Sequence, residues 1–175
     1  WSDGWRHLRF LFLYSPRWLF LYPGILLLAV GTLLGLWVLP EPRAIGTVTL
    51  DVHTLLYAAV AVTLGYQSVA FAFFTKIFAI QEGLMPTDPR FNKLFKYATL
   101  EVGLCIGFTL VVLGIGGTGW AFSEWGESSF GELEPTKMLR VIIPAALSLI
   151  LGFQIVLSSF FLSVLGLGRH RGEFD

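Results

Sequence analysis

The residues that could do chemistry in this chain are few, and they are spread over an apolar background. Arg6, Arg9 and Arg17 lie among Trp5, Phe10, Phe12, Tyr14 and Trp18, just ahead of a long apolar run. A guanidinium is a planar fork of donors that fits a phosphate, and aromatic rings suit the headgroup layer of a bilayer. These arginines are therefore candidates for a lipid phosphate or headgroup. Attraction to anionic lipid, about 1 kcal/mol per cation near the surface, gives them the plainer role of setting topology. Gln67 and Gln154 lie well inside apolar runs and form a candidate intramembrane polar pair. They serve either as substrate contacts or as interhelical hydrogen-bonding groups, the latter worth ~0.6 kcal/mol on average. Lys76 and Glu101 are ion-pair candidates, because a carboxylate within a membrane is costly unless paired or wet. A proton relay through Glu101 is the sharper alternative, but no chain of acids or histidines continues it. Arg140 has Asp51 or Glu134 as potential partners at the opposite end of the apolar runs.

Other chemistries lack their residues. There is no glycine-rich phosphate loop, no Asp-x-Asp pair for a metal–nucleotide complex, and no nucleophile–base constellation. His7, His53 and His170 are dispersed and Cys105 stands alone, which excludes an intrachain disulfide and makes a zinc site improbable. No catalytic residue, cofactor or metal ligand is expected within this chain. Its formal net charge is zero, with 12 basic and 12 acidic residues, so bulk charge points to no nucleic-acid partner.

The elements that position these residues are membrane helices. The chain has 175 residues, 55% hydrophobic and 14% charged, with a mean hydropathy of +0.71. A soluble domain is nearer a quarter charged. Four uncharged stretches, Trp18 to Leu39 and those bounded by Asp51/Lys76, Glu101/Glu124 and Arg140/Arg169, each exceed the roughly 20 residues that cross ~30 Å of hydrocarbon. They are too long and too uniformly apolar for transmembrane strands. The expected fold is all-α and polytopic. An interfacial amphipathic helix over 1–17 precedes a four-helix transmembrane domain over 18–168, with spans near 18–39, 52–76, 98–122 and 139–167, and a tail follows over 169–175. Arg6, Arg9, Arg17, Lys76, Arg90, Lys93, Lys96, Arg169 and Arg171 fall on one side of such a bundle, which predicts an inner-membrane protein with both termini cytoplasmic.

Leu64-Gly-Tyr-Gln-Ser-Val-Ala-Phe-Ala-Phe-Phe74 matches Leu151-Gly-Phe-Gln-Ile-Val-Leu-Ser-Ser-Phe-Phe161, so spans one–two and three–four read as two related hairpins. Spans one and three carry Gly31/Gly35 and Gly103/Gly107, a spacing that lets helices approach closely or oligomerise. Pro40 to Leu50 reads as a turn.

Asp3-Gly-Trp-Arg-His-Leu-Arg-Phe10, Tyr14-Ser-Pro-Arg-Trp-Leu-Phe-Leu-Tyr-Pro-Gly24, Asp51-Val-His-Thr-Leu-Leu-Tyr57, Phe74-Thr-Lys-Ile-Phe-Ala79 and Leu100-Glu-Val-Gly-Leu104 carry a family resemblance, together with the two Leu-Gly-aromatic-Gln segments. The chain resembles the membrane region of bacterial family 2 glycosyltransferases of the dolichyl- or polyprenyl-phosphate mannose or glucose synthase type. The resemblance implies an upstream GT-A domain, absent here, that moves a sugar from a nucleotide sugar to polyprenyl phosphate with a divalent cation. It makes residues 1–18 the seam to that domain and the spans its lipid-acceptor side, not catalytic alone; the chain's start at Trp1 fits a piece of a longer enzyme. Membrane lipids, polyprenyl phosphate, the upstream domain and a further copy of the chain are the expected partners. The rival expectation is a small four-span transporter or lipid-linked-sugar flippase subunit, with a polar cavity lined by Tyr66, Gln67 and Gln154.

Overall fold

The computed structural model describes residues 4–5, 17–83, 100–127 and 135–167. The fold is all-α, with four helices long and apolar enough to cross a membrane. A π-helical turn, Arg17–Leu21, leads into α1, Tyr22–Val38. Pro23 has no N–H to give to the Leu19 carbonyl, and the first turn of a helix is where that loss is tolerated. Then come α2, Val52–Gln81, α3, Leu100–Glu127, and α4, Pro135–Leu167.

The link between α1 and α2 is more ordered than the turn expected from its prolines. Strands β1, Arg43–Ile45, and β2, Val48–Leu50, pair antiparallel with Arg43 opposite Leu50. The β-branched residues Ile45, Thr47, Val48 and Thr49 are the signal for strands, and Gly46, at φ 62°, takes the left-handed position that a two-residue hairpin turn requires.

The main helix contacts form a row: α1 lies along α2, α2 along α4, and α4 along α3. Neighbours do not gather by hydrophobic effect here, because lipid tails are as apolar as leucine; close packing must supply the attraction. Glycine makes that packing possible. A Cβ on Gly65 of α2 would stand 2.6 Å from the Leu28 nitrogen and 2.8 Å from the Gly24 carbonyl of α1. A Cβ on Gly31 would stand 2.7 Å from the Ala58 carbonyl. The second pair repeats this register: a Cβ on Gly152 of α4 would meet the Gly107 carbonyl at 2.6 Å and the Val111 nitrogen at 2.8 Å, and one on Gly114 the Ala145 carbonyl at 2.8 Å. Each crossing is antiparallel, with two glycines two turns apart facing an alanine and a glycine.

This register differs from the one expected. Gly31 and Gly107 sit at crossings, but Gly35 has only an ordinary contact, 3.6 Å to the Ala58 Cβ, and Gly103 faces the Ser159 side chain. The close partners are Gly24/Gly31 and Gly107/Gly114. Within the repeated Leu-Gly-aromatic-Gln motif, the glycines are what bring the backbones together.

Hydroxyls within the helices bond their own backbone. Thr63, Thr109, Thr118 and Ser159 each donate to the carbonyl four residues back, at 2.7–2.9 Å. That arrangement satisfies them where no water is available.

We expect Gly65→Ala and Gly152→Ala each to cost about 1–3 kcal/mol by overpacking. Thermal unfolding in detergent should show lowered midpoints. Gly116→Ala and Gly119→Ala, where an added Cβ meets nothing within 4 Å, should leave the midpoint unchanged; equal losses at all four positions would contradict this account.

Candidate functional site

The polar side chains occupy three levels. At the distal level, where α1 ends and α2 and α4 begin, Arg140 joins three helices. Its guanidinium donates from Nη1 to the Val38 and Leu39 carbonyls at 2.6 and 2.8 Å, and from Nη2 to Asp51 Oδ1 at 2.5 Å. The first two acceptors are orphan carbonyls at the C-terminal end of α1, where the helix dipole favours a cation. Asp51 is the N-cap of α2, and its own carbonyl accepts from the Thr54 and Leu55 N–H groups. The Arg140 side chain is 13% exposed and that of Asp51 29%, so the pair is mostly withdrawn from solvent. Arg43 pairs with Glu41 at 2.6 Å and reaches the Trp37 carbonyl. Of the two partners open to Arg140 in the sequence, Asp51 is the one engaged; Glu134 lies outside the described residues. Pro144 lies inside α4 and has no N–H to give to the Arg140 carbonyl.

At the middle level, the Tyr66 side chain of α2 lies near Ser158 of α4. Gln154, one turn from Ser158, is half-buried, and its carboxamide oxygen is buried without a hydrogen-bond partner among the described residues. Gln67 is exposed. No hydrogen bond joins Gln67 to Gln154 among the described residues. Sequence reasoning missed that Tyr66 and Ser158 are neighbours across these helices, because tyrosine and serine carry no pattern of their own in an apolar run.

At the N-terminal level, Arg17 is exposed at the start of the first span. Trp18 stacks obliquely on Tyr22 with ring centroids 4.8 Å apart, and Phe20 meets Phe71 edge-on at 4.8 Å. Phe74 and Phe161, matching positions of the repeat, meet edge-on at 4.7 Å and tie α2 to α4. Lys76 is half-buried on α2 and Glu101 exposed in the first turn of α3. The ion pairs described are Arg43–Glu41 and Arg140–Asp51; Lys76 has interactions of its own, but a pair with Glu101 is not among those described. Arg6 and Arg9 lie outside the described residues.

Between α1, α2 and α4 runs an apolar cleft of about 280 Å³, lined by residues that include Gly31, Gly35, Ala58, Val62, Pro144 and Leu147. It is not the polar cavity that a transporter reading expects, and Tyr66, Gln67 and Gln154 do not line it. Among the described residues no three His, Cys, Asp or Glu side chains converge to hold a metal ion.

The arrangement is a helical scaffold with Arg17, Trp18 and Tyr22 at its N-terminal end and no reacting centre among the described residues. Residues 73–166 match the glycosyltransferase family 2 C-terminal transmembrane region. The chain belongs to that family. It is 29% identical over 164 residues to the low-salt glycan biosynthesis hexosyltransferase Agl6 of Haloferax volcanii, covering 94% of this chain and 38% of that protein. The chain thus spans well under half the length of the curated relative it matches. No solved structure matches it. As a family 2 transmembrane region, the chain is a membrane protein.

The Arg140 cluster gives the clearest mutational test of this scaffold. Removing one member of a largely buried, hydrogen-bonded pair costs about 3–5 kcal/mol, because the other charge is stranded. Arg140→Ala should destabilise the folded protein in detergent by up to roughly this amount. In the double variant with Asp51→Asn the two losses should be clearly less than additive. Additive losses would mean that the two side chains act independently.

Proposed function

We propose that this chain is the membrane-anchoring, lipid-acceptor-side domain of a glycosyltransferase that moves a sugar from a nucleotide sugar to polyprenyl phosphate. The observation that carries the reading is the family match to a C-terminal transmembrane region, joined to a basic and aromatic N-terminal rim. The relative's printed activity, hexosyl transfer, supports the reaction class. A GT-A domain on the N-terminal side supplies the chemistry and any divalent cation, since no residue set described here fits either role. The spans hold that domain at the surface. Arg6, Arg9 and Arg17 draw the acceptor phosphate toward it, as guanidinium forks do with phosphate oxygens. The domain therefore raises the local concentration of acceptor and fixes its orientation.

Steady-state kinetics on the full-length enzyme test the role of the rim. Arg6→Gln, Arg9→Gln and Arg17→Gln should each raise the KM for polyprenyl phosphate roughly fivefold, equivalent to ~1 kcal/mol, and leave the KM for the nucleotide sugar unchanged. A rise confined to the donor KM would sink the assignment. So would unchanged transfer to polyprenyl phosphate, and unchanged membrane association, once residues 18–167 are removed.

The same reading places the rim in the cytoplasm and the β1–β2 turn on the opposite face of the inner membrane. With Cys105→Ala as background, a cysteine at Gly46 should react with an impermeant maleimide added to intact cells. A cysteine at Gly4 should react only after the cells are opened. The reverse pattern would overturn this orientation.

A further inference from the structure

The β1–β2 hairpin has an apolar face that the protein leaves uncovered. Side chains alternate along a strand and cross-strand partners share a side, so Arg43, Ile45, Val48 and Leu50 lie on one face and Ala44 and Thr49 on the other. At the base of the first face, the partners Arg43 and Leu50 are half-buried. At its tip, the partners Ile45 and Val48 are 55% and 58% exposed. One face therefore begins on the protein and continues past its edge.

Arg43 sets the direction of that face. Its Nε donates to the Trp37 carbonyl at 3.4 Å, in the last turn of α1, so the face is turned back toward the helix ends. Both roots of the hairpin are held at the same level. Arg140 binds the Val38 and Leu39 carbonyls ahead of β1 and the Asp51 carboxylate behind β2. That level is the membrane boundary: Trp37 is exposed at the end of α1, Trp120 and Trp125 are exposed toward the end of α3, and tryptophan favours the headgroup layer. Three residues at ~3.4 Å each carry the tip about 10 Å from its base, close to the width of one helix.

Two arguments select what covers the tip. A stable protein partner buries ~800 Å² on each side, far more than two aliphatic side chains offer. An isolated two-stranded hairpin is marginal in water, and this one has only three residue pairs, so it needs an apolar layer to lie on. At the helix ends of a membrane protein that layer is lipid. We propose that the hairpin lies flat on the distal leaflet, with Ile45 and Val48 sunk into the boundary between headgroups and acyl chains and Ala44 and Thr49 turned to water. Its partner is the phospholipid bilayer itself. Through Arg43 on α1 and Arg140 on the α2 N-cap, the hairpin fixes the depth at which these two helices end. The inference holds whichever side of the cell the distal surface faces, so it stands apart from the proposed function.

The test uses the full-length protein in phosphatidylcholine liposomes. A fluorescent amino acid, dansylalanine, replaces Val48 in one variant and Thr49 in another. Emission from position 48 should be blue-shifted relative to position 49. A phosphatidylcholine with a nitroxide high on its acyl chain should quench position 48, and iodide on both sides of the membrane should quench position 49. Equal quenching of the two positions by iodide places the tip in water and overturns the inference. Shielding of position 48 from both quenchers means that protein covers it, and also overturns the inference; shielding lost on dilution into excess lipid identifies the cover as a second copy. The unaltered protein supplies a second measurement that no substitution disturbs. A phosphatidylcholine with a diazirine high on its acyl chain should, on illumination, form adducts at Ile45 and Val48, located by mass spectrometry of peptides. Adducts confined to the helices overturn the inference.

Discussion

Backbone-to-backbone approach at glycine is the constraint on which this structure depends. In hydrocarbon, burying leucine against leucine gains little over burying it against lipid, so helices cohere by close van der Waals contact and by polar bonds that have no competitor. At Gly24–Gly65 and Gly107–Gly152, a Cβ on either member would stand 3.0 Å or less from the other's carbonyl oxygen. Those distances leave no room for any larger residue without separating the helices. The open faces of α1 and α3 follow from the same logic, since a helix needs one closely fitted face and can give the rest to lipid. Large side chains such as Leu33, Phe108 and Leu113 are accordingly exposed in the protein.

Polar groups then divide by depth. The mid-span hydroxyls of Thr63, Thr109, Thr118 and Ser159 are satisfied by their own helix. The Arg140–Asp51 pair closes the distal ends, where the α1 carbonyls would otherwise face the membrane boundary unpaired. One guanidinium meets two carbonyls and a carboxylate, which a lysine could not match with the same planar fork. The Gln154 oxygen is the exception in mid-span, buried without a partner among the described residues.

A scaffold built this way is suited to holding something else. It has no residue set for bond-making among those described, and its family is the transmembrane region of enzymes whose transfer chemistry requires a sugar donor.

Much of the architecture was legible in the sequence. Uncharged runs of sufficient length determine the four spans, because desolvating the backbone in lipid leaves only the helix available to them. The repeat between residues 64–74 and 151–161 was also visible, as was the choice of partners for Arg140. What only the tertiary structure decided is which atoms meet. Glycine is common in membrane helices, so Gly31/Gly35 and Gly24/Gly31 are equally plausible by spacing; only helix rotation and register show which backbones touch. Register likewise separates Gln67, exposed, from Gln154, half-buried, although both occupy the same place in the repeat. The β1–β2 hairpin and the cleft depend on how chain ends and facing helices come together in space. A sequence records which groups a membrane will accept; their relative placement is decided by packing, because lipid itself imposes no preference among equally apolar faces.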